Sequence, residues 1–150
     1  MRIDPHPFAD LFARIPKVAC KGNCGRDRWN TCCGPIGCSM TEAVLLEQYD
    51  GKTCDWVDAG HGNVMMNLPA ATGLTCPHLG LDGRCTAYEA RPIICRVFGA
   101  VRALACPWGC KPDRWMSDAE VAELMLEASL RSALVVEEVN KVVDNAPGKT

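Results

Sequence analysis

The chain has 150 residues and no apolar run near the roughly 18 residues that a membrane span requires. Ala133 to Val136 is only a short piece of an amphipathic pattern, so a membrane-inserted protein is not expected. The first twenty residues carry Asp4, Asp10 and three prolines where a secretory signal would need an apolar stretch. A cytoplasmic protein is the expectation. Net charge is only −2, and neither a basic helix nor basic residues interleaved with aromatics are found. Both absences argue against nucleic-acid binding. GxxxxGK, GxGxxG, GxSxG and HExxH are all missing, which removes the usual signs of nucleotide, serine-hydrolase and zinc-protease chemistry. C-x2-C is missing as well, so standard zinc-ribbon and bacterial ferredoxin spacings do not apply.

What the chain has instead is eleven cysteines. An odd number cannot pair completely within one chain, and a reducing compartment disfavours disulfides, so thiolate ligation of a metal or cluster is the leading reading. The thiols fall into two groups. The first is Cys20, Cys24, Cys32, Cys33 and Cys38; the second is Cys76, Cys85, Cys95, Cys106 and Cys110; Cys54 stands alone. Charge follows the same division. Residues 1–38 hold 6 Lys or Arg against 3 acids, and residues 84–114 hold 6 against 2. Acids dominate 39–83 and 117–150. Positive charge beside clustered thiols favours thiolate and offsets the negative charge of a thiolate-bound metal. Soft sulfur ligands select zinc or iron–sulfur, and spacing alone does not choose between them.

The length suits one domain, with a cysteine-cluster core over 20–110 and a C-terminal helix over 117–144. Phe8, Leu11, Phe12 and Ile15 predict a short helix from about 7 to 15. Ser39 with Glu42 forms a capping box, opening a helix that Gly51 ends. Val64 to Leu68 reads as a short strand, and Leu81-Asp82-Gly83-Arg84 as a turn bringing Cys76 and Cys85 together. A second capping box, Ser117 with Glu120, opens a helix of about 27 residues. Val121, Met125, Ala128, Ser132, Val135, Val139 and Val142 form a heptad seam on it. That seam either packs on its own domain or docks a protein partner or a second copy. Ala146 to Thr150 read as a frayed tail. The expected fold is small, mainly α and loop-rich, a metal-organised cysteine core closed by the long helix.

Cys76-Pro77-His78-Leu79, then Arg84-Cys85-Thr86-Ala87-Tyr88-Glu89-Ala90-Arg91-Pro92, then Cys95-Arg96 resemble the CPxL…C-x-x-YexRPxxCR core of the cysteine-cluster family described as a zinc- or iron-chelating domain. In that family a CxxCxxCC-like group precedes a short helix, and Cys20, Cys24, Cys32 and Cys33 stand in that position here. Their spacing is stretched to x3 and x7, which leaves open whether Cys32 or Cys33 is the ligand. Cys38, Cys54 and Cys110 fall outside the pattern. The resemblance implies an iron–sulfur centre, most plausibly 4Fe–4S, with zinc as the alternative, and it implies no reaction.

The candidate ligands are therefore Cys76, Cys85 and Cys95 with one or more of Cys20, Cys24, Cys32 and Cys33. Cys106 is a further ligand or half of a second site with Cys110. Arg91 and Arg96 would offset thiolate charge or donate to cluster sulfurs, or else form ordinary ion pairs with Glu89. Tyr88 would pack against the site with its hydroxyl bonded to backbone. His78 is close enough to ligate or to donate to sulfur, whereas His6 and His61 are expected at the surface. The four tryptophans would shield a cluster or form a small core. Three roles compete: a structural or electron-transfer centre working with a partner, a cluster-dependent enzyme, and a metal-stapled assembly component. Cys95→Ser is expected to lower metal content sharply while Cys54→Ser leaves it unchanged; equal metal in both purified variants would contradict the assignment.

Overall fold

The computed structural model describes residues 6–20, 34–68 and 75–144. Its elements run α1 (Ala9–Phe12), β1 (Gly37–Ser39), α2 (Met40–Asp50), β2 (Asp55–Gly60), β3 (Asn63–Asn67), α3 (Ile93–Val97) and α4 (Asp118–Asp144), with 3-10 turns at Tyr88–Ala90 and Arg102–Leu104. The three strands form one antiparallel sheet in the order β1-β3-β2. The fold is therefore mixed α and β, which corrects the expectation of a mainly α domain. The strand expected at Val64 to Leu68 is β3; its two partners were not anticipated. β1 is only three residues long and lies in the glycine- and cysteine-rich stretch. β2 carries Asp55 and Asp58, which weaken a strand signature, and a register shift lies between Asp58 and Gly60. The hairpin closes through Gly60, His61 and Gly62, all at positive φ.

Local chemistry sets the helix ends. Ser39 caps α2 and accepts from the Glu42 backbone N–H, while Glu42 Oε2 accepts the Ser39 N–H at 3.0 Å. Gly51 then ends the helix in the left-handed conformation, its N–H donating to the Glu47 carbonyl. Glu42 does more than cap. Its Oε1 accepts the Ile93 N–H at 2.7 Å, so one buried carboxylate closes the start of α2 and the start of α3 together. α4 begins at the second capping box, where the Glu120 N–H donates to Ser117 Oγ.

The main core gathers Phe8 just before α1 and Leu11 within it, Ile93 and Val97 from α3, and Leu124 and Ala128 from α4. Cys38, Ala43 and Val64 make a smaller cluster beneath Trp56. The proximal half of the heptad seam faces the protein's own interior. Ala128 and Ser132 are fully buried, and Ser132 Oγ lies 3.1 Å from the donating Thr41 N–H and 3.0 Å from Thr41 Oγ1. Gly62 lets α4 approach, since a Cβ there would meet the Ala133 backbone at 3.3 Å. Arg131 adds a two-pronged ion pair to Asp10 at 2.8 and 2.7 Å, tying α4 to α1. The leucines left outside are Leu126, Leu130 and Leu134, all more than half exposed.

His6 is not a surface residue as expected. It is half-buried against Phe12, with Nδ1 accepting the Phe8 N–H at 3.0 Å, and burial pulls its pKa down to about 4, helped by Arg96. His61 is exposed as expected. Ala146 to Thr150 lie outside the described residues, as do the side chains of Val135, Val139 and Val142.

Glu42→Gln keeps the shape of the side chain but turns one acceptor into a donor facing another donor. It is expected to cost about 2–3 kcal/mol of stability in denaturant unfolding; a loss below about 0.5 kcal/mol would show that the shared cap does not hold α2 and α3 together.

Candidate metal centre

Three short turns and one helix bring the thiols around one cavity. The Leu79–Cys85 bridge, with Gly83 N–H donating to the Gly80 carbonyl, folds Cys76 and Cys85 back onto one side. Gly80 keeps this turn tight, since a Cβ there would crowd the Arg84 backbone carbonyl at 3.1 Å. Cys95 sits in the short α3, whose first N–H is held by Glu42. Cys106 and Cys110 flank a turn closed by the Gly109 N–H, and Gly99 at positive φ lies against Val18 and Cys106. The Val18–Pro112 bridge then carries Cys20 to the same place.

The result is a cavity of about 630 Å³ lined by Cys20, Cys76, Cys85, Cys95, Cys106 and Cys110, six of the eight described cysteines. Lys17, Arg84, Arg91 and Arg96 also line it, and no aspartate or glutamate is found among its described lining residues. Five of the expected ligands thus line one cavity. Cys24, Cys32 and Cys33 lie outside the described residues, as does Trp29. Cys110, which the family pattern did not include, belongs to the lining; its C-x3-C spacing from Cys106 was the available signal. Cys38 is instead buried in the small core.

Among the described residues no three His, Cys, Asp or Glu side chains gather where a single ion would sit. Burial pushes the Cys76 thiol up to about 11, although its sulfur accepts the His78 backbone N–H, which pulls the other way. Burial, then Cys76, Glu47 and Asp50, push Cys54 up to about 12. Thiols of this kind carry protons at neutral pH, so a metal entering here must displace them.

Backbone carbonyls hold Arg91 and Arg96. Arg96 donates from Nε to the Arg91 carbonyl at 2.7 Å and from Nη2 to the Glu89 carbonyl at 2.6 Å, with its guanidinium over Phe12. Burial, then Arg91, lower its pKa to about 10, which leaves it charged at neutral pH. Arg91 donates to the Tyr88 carbonyl and stacks on the Tyr88 ring at 3.6 Å. Tyr88 is half-exposed, so it is a partly open wall of the cavity and not a buried packing residue. Glu89 Oε2 accepts from Tyr49 Oη. Trp108 joins the lining, Trp115 stacks with Arg102, and Trp56 donates to Glu47.

His78, close enough in sequence to ligate or to donate to sulfur, lines the cavity, and its ring is bonded to Asp50 and Cys54. Nδ1 lies 2.7 Å from Asp50 Oδ2, and Nε2 lies 3.4 Å from Cys54 Sγ. Thr86 Oγ1 donates to the same Asp50 oxygen at 2.6 Å, and the Lys52 N–H donates to Oδ1. Burial works against the Asp50 charge, but these donors outweigh it and hold the carboxyl below its usual range. Asp50 and Cys54, four residues apart, meet His78 here, and no spacing in the chain announces that partner.

No family model, curated protein or solved structure matches this chain. No helix among the described residues is long and apolar enough to cross a membrane.

Proposed function

We propose that the chain carries a cysteine-bound iron–sulfur cluster, of the 4Fe–4S type, in the cavity between α3 and the Cys76–Cys85 and Cys106–Cys110 turns. The observation that carries this reading is the cavity itself: about 630 Å³, six thiols, four cationic side chains and no carboxylate among the described lining residues. A single zinc ion needs four ligands converging at about 2.3 Å from one point. Thiols spread around the walls of a cavity suit a polynuclear centre better. Cys76, Cys85 and Cys95 are the assigned ligands, completed by one or more of Cys20, Cys24, Cys32 and Cys33, with Cys106 in reserve.

Charge supports the same occupant. A thiolate-ligated cluster is an anion, and Lys17, Arg84, Arg91 and Arg96 supply the compensating field. Arg91 and Arg96 are fixed by backbone carbonyls, so their charge stays in place. When bound, the cluster supplies either one-electron transfer or a rigid cross-link between segments. The role we assign is structural or electron-transferring, with a protein partner reached through the outward face of α4. The residues resembling the zinc- or iron-chelating family lie along this cavity, and a reducing compartment such as the cytoplasm would keep its thiols available.

Anaerobic purification followed by metal and sulfide analysis tests the reading. The expected result is a brown protein with iron and acid-labile sulfide in equal amounts and absorbance near about 400 nm that bleaches on reduction. A colourless protein with stoichiometric zinc would overturn the iron–sulfur assignment and make the centre structural.

A further inference from the structure

α2 carries no cysteine, yet a carboxylate near each of its ends holds a segment that does. At its start Glu42 Oε1 accepts the Ile93 N–H at 2.7 Å and so fixes α3, which bears Cys95. At its end Asp50 reaches the Cys76–Cys85 turn. A single oxygen, Oδ2, lies 2.7 Å from His78 Nδ1 and accepts from Thr86 Oγ1 at 2.6 Å. His78 follows Cys76 by two positions and Thr86 follows Cys85 by one, so both arms of the turn are gripped at once.

The two arms are also tied to each other, because the Thr86 N–H donates to the His78 carbonyl at 2.7 Å. The Lys52 N–H donates to Oδ1 at 3.1 Å and keeps the Asp50 carboxylate aimed at the turn. His78 is 1% exposed, and a buried ring N–H without an acceptor is costly, so loss of the Asp50 oxygen favours movement of the turn. The His78 backbone N–H in turn donates to the Cys76 sulfur. Between Glu42 and Asp50 the helix rises about 12 Å, a rigid spacer between the anchor of Cys95 and the anchor of Cys76 and Cys85.

Resting on the iron–sulfur reading of the cavity, we propose that Asp50 and Thr86 are positioning residues that make the centre selective for a polynuclear cluster over a single zinc ion. A given set of ligands binds zinc more tightly than ferrous iron, so geometry has to decide between them. Zinc takes four ligands closing to about 2.3 Å from one point. With α3 and the turn each anchored to α2, no three His, Cys, Asp or Glu side chains among the described residues gather where one ion would sit. Releasing the turn removes that separation and lets Cys76 and Cys85 close on one ion together with other thiols of the lining. Asp50 and Thr86 act through the His78 ring and the backbone of the turn, not by touching the metal.

The full chain is produced anaerobically in cells supplied with both iron and zinc, and iron, acid-labile sulfide and zinc are measured per folded chain. Wild type is expected to hold iron and sulfide in equal amounts. Asp50→Ala is expected to raise the zinc-to-iron ratio about tenfold or more. Asp50→Asn, which keeps an acceptor facing His78 and Thr86, is expected to hold the wild-type ratio. Loss of stability alone would lower all metal together, so the ratio separates positioning from packing. Thr86→Val, which keeps the side-chain shape without the hydroxyl, is expected to raise the ratio in the same direction and decides the matter if Asp50→Ala does not fold. An unchanged ratio in the folded variant, a loss of iron without a gain of zinc, or an Asp50→Asn protein as rich in zinc as Asp50→Ala would overturn the assigned role of Asp50 while leaving the iron–sulfur reading in place. Zinc without iron in wild type would overturn that reading, and the selectivity with it.

Discussion

The carboxylate of Glu42 is the constraint on which the rest of the structure depends. It is 1% exposed and receives the Ser39 N–H and hydroxyl on one oxygen and the Ile93 N–H on the other. A buried carboxylate is costly unless hydrogen bonds satisfy it, and here the donors come from two helix starts and the end of a strand. That single group fixes β1, α2 and α3 relative to one another. Since Cys95 lies in α3 and β1 pairs with β3, the wall of the cysteine cavity and the hairpin are held by the same oxygen atoms.

Charge segregation along the chain becomes charge segregation in space. The acid-rich segment 39–83 builds α2 and the hairpin, where Glu42, Glu47 and Asp50 bind backbone N–H groups, an indole and an imidazole. The basic segments supply Lys17, Arg84, Arg91 and Arg96 to the cavity. Arg96 and Arg91 use carbonyl oxygens as anchors and line the thiol-bearing cavity.

Signals that depend on a few adjacent residues were legible in the chain. Ser39 with Glu42, Ser117 with Glu120, Gly51 and the Asp82-Gly83 turn each stand where their chemistry requires, and α4 runs Asp118–Asp144. The sheet was mostly hidden, because a three-residue β1 has no periodicity and β2 gains its place from pairing with β3 on both registers around Gly60. A mainly α fold was the consequence of missing both. The heptad pattern on α4 identified an apolar stripe but not its partner. Ser132, which looks like a weak point in such a seam, is a buried contact with Thr41. Cys76, Cys85, Cys95, Cys106 and Cys110 of the second sequence group line one cavity with Cys20, whereas Cys38 of the first group is buried in the small core, and the meeting of His78 with Asp50 and Cys54 arises only from folding.

The central claim is that the occupant of the thiol-lined cavity is an iron–sulfur cluster. Anomalous diffraction at the iron edge from anaerobically grown crystals tests it most directly. The account predicts a compact group of iron peaks inside the cavity, at bonding distance from the sulfurs of Cys76, Cys85 and Cys95. Iron peaks elsewhere, or a lone zinc signal in their place, would contradict it.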